Sequence, residues 1–126
     1  MLRGVRNFHS SLLKRAEHNC IAIYPEAHIW PYFTQIRPFL DASFRYPAET
    51  CKPVFAFTVT YHKRFLTSLP RTVVYIDGPF FADPSKKTRE NQAMLRDKVY
   101  EAMCRRSIES DYSYNTYVPV ENDNAD

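Results

Sequence analysis

Apolar positions along this chain follow three different periods, and each predicts a different kind of element. Over residues 2–17, Leu2, Val5, Phe8 or His9, Leu12, Leu13 and Ala16 recur at helical spacing, with Arg3, Arg6, Lys14 and Arg15 filling much of the remainder. This predicts an amphipathic helix that covers one face of a sheet; a helix lying on a membrane surface is the sharper alternative. Residues 20–24 (Cys20, Ile21, Ala22, Ile23, Tyr24) form a continuous apolar run closed by Pro25. That is the pattern of a buried strand covered on both faces, as in a parallel sheet. Two further runs, 53–61 and 72–76, are rich in β-branched and aromatic residues and read as strands, the first opening at Pro53, where proline is tolerated. The ten residues between them, 62–71, are short for a crossover containing a helix, so an antiparallel hairpin is favoured. Asp77, Gly78 and Pro79 then form a turn signal closing the second strand. Asp83 followed by Pro84 reads as the N-cap and first position of a helix running to about residue 107. Its apolar stripe is Met94, Leu95, Val99, Ala102, Met103 and Ile108. Residues 121–126 read as an acidic, frayed tail.

Composition narrows the function classes. A chain of 126 residues holds one domain at most. With Gly4 and Gly78 as its two glycines, no glycine-rich phosphate loop can be written. A net charge of +3, with acidic residues spread along the chain, lacks the basic stripe of a dedicated nucleic-acid binder, so no nucleic-acid partner is expected. It remains compatible with weak attraction to an anionic membrane surface or a phosphorylated substrate. Cys20, Cys51 and Cys104 have no CxxC spacing and are odd in number. Cys20 in a strand and Cys104 in a helix fit buried small hydrophobes in a reducing compartment. No apolar run reaches transmembrane length and no signal-peptide core is present at the start. These features predict a cytoplasmic location, compatible with peripheral contact at the cytoplasmic face of the membrane.

The candidate chemistry gathers after the first apolar run. Ligands of open α/β sheets bind beyond the carboxyl ends of strands, and Pro25 presents Glu26 there as an acceptor for a substrate hydroxyl. The plainer alternative is a Glu26 that caps a turn or faces solvent. Residues 28–39 hold two prolines and four aromatics in twelve positions, which argues for a stiff loop packing its own rings. Such a loop either walls a pocket or closes the core where a helix is missing. Arg37 is the cation in it placed to neutralise an anionic group.

Ile21, Ala22, Ile23, Tyr24, Pro25, Glu26 and Ala27, followed by Lys52, Pro53, Val54, Phe55, Ala56 and Phe57, resemble the third and fourth sequence blocks of the glycerolipid (lysophospholipid) acyltransferase superfamily. The stretches 24–32, 36–39, 43–47, 73–80 and 95–103 resemble one bacterial branch of it, so the likeness spans most of the chain. It implies an α/β fold, a partial mixed sheet with flanking helices, equivalent to the second half of a glycerol-3-phosphate acyltransferase-like domain. Residues 1–110 would form that half-domain and 111–126 a tail. The implied reaction is acyl transfer from acyl-CoA or acyl-carrier protein, as co-substrate, to a hydroxyl of a lysophospholipid or glycerol phosphate in phospholipid biosynthesis. No other cofactor and no metal is implied. The glutamate of the third block helps hold the acceptor, a role that falls on Glu26 beside Pro25. Pro53 matches the proline of the fourth block and would shape the pocket wall.

Two departures qualify the likeness. In the family a histidine of an HxxxxD block is the general base and its aspartate orients the ring. Here the residue five after His9, His18, His28 and His62 is Lys14, Ile23, Phe33 and Thr67, so the block is missing. The glycine, threonine and arginine usual after the glutamate are Ala27, His28 and Ile29, leaving Arg37 or Arg45 as substitutes for the arginine. The expectation is a truncated or split reading frame without catalytic residues of its own, inactive alone and completed by a chain supplying the first half. Its sheet would carry an open edge and uncovered apolar surface. The alternative is a non-catalytic lipid-binding or regulatory module gripping anionic lipid through Arg3, Arg6 and Lys63. Single-strand nucleic-acid binding through stacked Tyr and Phe is disfavoured, because most of those rings fall in strands or the stiff loop.

Overall fold

A computed structural model describes residues 2–119 of the chain. The β-branched and aromatic run after Pro53 forms β1 (Val54–His62), and the next forms β2 (Arg71–Phe80). They pair antiparallel, as the short connection predicts, with Val59 opposite Val74 and His62 opposite Arg71. Strand β2 is longer than the sequence pattern predicts. Asp77, Gly78 and Pro79 do not end it but are absorbed as an irregularity between the Val54–Phe80 and Ala56–Asp77 pairs. A bulge tolerates an extra residue and a proline without N–H. Gly78 is needed there: its φ is +121°, and a Cβ would lie 2.8 Å from the Val54 carbonyl oxygen.

The last helix, α3 (Thr88–Ser107), begins four residues later than Asp83 predicts, with Lys87 rather than Asp83 at the N-cap. Asp83 caps a local turn instead, its carboxylate accepting the Ser85 N–H at 2.9 Å and the Ser85 hydroxyl at 2.7 Å. Glu90 then accepts the N–H of Lys87, at the true helix start. Buried Asn91 ties the preceding loop down, accepting the Asp83 N–H at 2.7 Å and donating to its carbonyl at 2.8 Å. The stripe of α3 buries Leu95, Val99, Ala102 and Met103, whereas Ile108 lies past the helix end and is exposed. These side chains pack on the inner face of β1 and on a short helix, α2 (Arg45–Thr50), entered through a single turn at Ala42–Phe44. Phe39, Phe44, Ala48, Ala56 and Ala82 complete the core.

The amino-terminal helix, α1 (Leu2–Ala16), forms as its spacing predicts but does not cover the sheet. Helix α3 takes the inner face, and α1 is tethered to α2 instead. His9 Nε2 lies 2.9 Å from the Glu49 carboxylate, and Lys52 donates to the Ala16 carbonyl. Val5 and Phe8 stay exposed.

Residues 20–24 are not a strand. They run without regular structure, and Cys20, Ile21 and Ile23 are exposed, which overturns both the buried strand and the buried thiol expected at Cys20. A strand needs a ladder partner for its backbone groups. The two strands present pair only with each other, so the sheet among the described residues is an antiparallel pair rather than a mixed sheet. The fold is mixed α and β, with helices flanking that pair. No helix among the described residues is long and apolar enough to cross a membrane. Of the expected tail, residues 111–119 lie back on the fold, with Asp111 and Tyr112 N–H groups donating to the Tyr61 carbonyl; the acidic stretch 121–126 lies outside the described residues.

Candidate functional site

Pro25 and Glu26 occupy a turn closed by the Ala27 N–H donating to the Tyr24 carbonyl, with Ala27 in the left-handed region at φ 62°. The turn sends the chain back on itself, and the half-buried Glu26 carboxylate receives the backbone N–H of Arg37 at 3.0 Å. Two of the sequence-predicted residues, eleven positions apart, are thereby joined at the neck of the aromatic loop. The junction uses the Arg37 backbone, not its charge. The guanidinium turns away and lies over the Trp30 ring, 4.3 Å from its centroid. Its Nη1 is buried and has no acceptor among the described residues. Buried guanidinium nitrogens are normally hydrogen-bonded, so this one is an exception, with the Trp30 ring face as its neighbour.

The loop packs its own rings, as its prolines predict, and also borrows from the carboxyl-terminal segment. Trp30 meets Phe33 edge-on at 4.9 Å and stacks on Tyr117 at 5.1 Å. Tyr32 lies between Tyr61 and Tyr114. The Tyr117 hydroxyl and the Asn115 amide both donate to the Pro31 carbonyl. Burial pushes the Tyr61 hydroxyl above its ordinary value. On the far side α3 supplies the floor, with Arg96 donating to the Phe39 carbonyl at 3.3 Å and Tyr100 meeting the Phe39 ring edge-on. The Tyr100 hydroxyl is pushed up chiefly by the Cys104 thiol and, less, by the charge of Glu26.

Pro53 is not drawn into this arrangement; it is exposed at the mouth of β1. Arg45 is engaged elsewhere, bonding Glu49 at 2.7 Å and holding that carboxylate below its usual range. An open groove of about 710 Å³ runs between α1 (Phe8, Leu12, Arg15) and residues 19–22, and none of Pro25, Glu26, Arg37, Arg45 and Pro53 lines it. No cluster of three or more His, Cys, Asp or Glu able to hold a metal is present among the described residues.

Sequence spacing missed two histidine–carboxylate pairs. His62 Nδ1 lies 3.2 Å from Asp111 and its Nε2 lies 2.8 Å from the Thr60 hydroxyl; the other pair is His9 with Glu49. The first has the connectivity of a base and its orienter, yet Thr60 is fully buried and also donates to the Val73 carbonyl. No substrate can reach that hydroxyl, and the ring nitrogen facing it is occupied. Nothing local links positions 62 and 111, which meet only through the fold.

No family model, no curated protein and no solved structure matches the chain.

Proposed function

We propose that this chain is the acceptor-holding part of an acyltransferase-like domain, the equivalent of its second half. The reaction served is transfer of an acyl group from an acyl-CoA or acyl-carrier-protein thioester to a hydroxyl of a lysophospholipid or glycerol phosphate. Glu26 receives the acceptor hydroxyl's hydrogen bond, and Arg37 meets the acceptor's anionic group. The observation that carries this reading is the pairing, on one loop, of a carboxylate fixed by a backbone N–H with a buried guanidinium nitrogen that lacks an acceptor among the described residues. A buried charged donor of that kind is costly until an anion meets it. Pro53 is assigned to the pocket wall on resemblance alone.

The chain supplies no general base. His9 and His62 are each committed to a carboxylate, His18 lies exposed 4.0 Å from the likewise exposed Glu17, and His28 is exposed with no carboxylate beside it among the described residues. Acyl transfer therefore needs a base from a chain or segment carrying the first half, and the chain by itself is inactive. The test is calorimetric binding of lysophosphatidate together with a thiol-release assay on acyl-CoA. Binding is expected to weaken by roughly tenfold or more in both Glu26→Gln and Arg37→Gln, the loss typical of a charge-assisted hydrogen bond. Equal binding by the variants would overturn the site. Thiol release by the wild-type chain above a Glu26→Ala control would overturn the missing base.

A further inference from the structure

We infer that the connection between β1 and β2 is a membrane-docking tip that inserts Phe65 and Leu66 into an anionic lipid surface. The two side chains are each 90% exposed, more than any other large apolar side chain among the described residues. Apolar groups so placed gain nothing within the fold. Leu66 adopts φ 69°, a left-handed conformation uncommon for a non-glycine residue, and the turn it makes keeps both side chains outward. The loop is also anchored at its base. Asp111 accepts the Lys63 N–H at 2.9 Å, the Tyr112 hydroxyl donates to the Ser68 carbonyl at 2.8 Å, and Pro70 is buried. What projects beyond these clamps is a short, held turn rather than a loose strand connection.

Charge selects the occupant. Lys63, Arg64 and Arg71 flank the apolar pair, none of them in an ion pair among the described residues, and positions 62–76 contain no Asp or Glu. The carboxylate facing the base of the tip is Asp111, already engaged by Lys63 N–H and His62. Two copies meeting tip to tip would bring these cations together, which disfavours a second copy. A bilayer carrying anionic headgroups satisfies both halves of the surface, apolar side chains below and cations at headgroup level. This deepens the lipid-facing side of the reading above but does not use Glu26, Arg37 or acyl transfer, so either can fail without the other.

The experiment is co-sedimentation of the full chain with vesicles of equal parts phosphatidylglycerol and phosphatidylcholine, and with phosphatidylcholine alone. Wild type is expected on the anionic vesicles, with partitioning that falls as salt rises. Phe65→Ser with Leu66→Ser should lower partitioning tenfold or more. Lys63→Gln with Arg64→Gln should lower it roughly twenty-five-fold, fivefold per charge. Phe57→Ser, on the open strand face, should leave it unchanged. The inference is overturned if wild type does not bind, if it binds neutral vesicles equally, or if the Phe65/Leu66 variant, with an unaltered circular dichroism spectrum, binds as wild type does. It is also overturned if Phe57→Ser loses as much, or if sedimentation velocity shows the tip variant converting a dimer to monomer, which would assign the tip to a second copy.

Discussion

On the face of the hairpin that meets α3, β1 presents Ala56, Thr58 and Thr60, all essentially buried; on the opposite face it presents Phe55, Phe57 and Val59, each 44–60% exposed. Strand β2 continues the open side with Val74 and Ile76, which lie across from Val59 and Phe57. The larger apolar side chains thus stand outside and the small or polar ones inside. The reason is proximity. Leu95, Val99 and Ala102 of α3 fill the space over the inner face, so only small residues fit opposite them. The open face keeps cross-strand contacts but has no second layer among the described residues, and its apolar area is what an additional layer would bury. Period-two alternation alone would have assigned the faces the other way round.

Removing the packing on the inner face should have the largest effect. Leu95 is fully buried, and Leu95→Ala is expected to cost about 2–5 kcal/mol, the usual toll of a core cavity. Denaturant unfolding measures it, and a loss under 1 kcal/mol would mean that α3 does not organise the sheet. The hairpin also has an electrostatic tie to α3. Arg106 donates from Nε and Nη2 to the Asp77 carboxylate at 3.0 and 2.9 Å while its guanidinium lies over Tyr75. Those hydrogen bonds hold Asp77 below the usual carboxylate range, so the folded state prefers it ionised. The resulting stability is full above the unfolded carboxylate value of about 4 and is lost as pH falls through the lower folded value. Unfolding midpoints measured down a pH series should fall faster for wild type than for Asp77→Asn; parallel curves would remove this tie from the account.

The smallest effects are the most discriminating between the two faces. Thr58 is buried with a hydroxyl that has no partner among the described residues, so Thr58→Val should stabilise by about 1 kcal/mol. Phe57→Ser, on the open face, should change stability by no more than about 0.5 kcal/mol and make the chain more soluble. A destabilised Phe57→Ser would show that the open face is already covered.

Much of the local structure was legible. The 3.6-residue recurrence from Leu2 to Ala16 and from Leu95 to Met103, and the β-branched runs around Thr58 and Val74, each became the element they predict. Boundaries were less so: Asp83 resembles an N-cap, but Ser85 competes for its carboxylate. The loop at residues 28–39 was legible as a self-packing aromatic unit, while its Tyr114 and Tyr117 partners, more than 80 residues away, were not. Within the candidate site, Glu26 and Arg37 could be named from the sequence. That they meet through a backbone N–H, with the guanidinium on Trp30, could not.

The sequence by itself determined the torsional and amphipathic character of each segment, because helix and strand preferences depend on neighbours a few residues apart. Tertiary structure decided which segments found partners. Residues 20–24 carry a strand's composition and no ladder, Phe57 carries a core residue's side chain and no cover, and His62 acquires an aspartate from 49 positions away. Hydrogen-bond ladders, burial and ion pairs are properties of pairs, and the second member of each pair is placed by the whole chain.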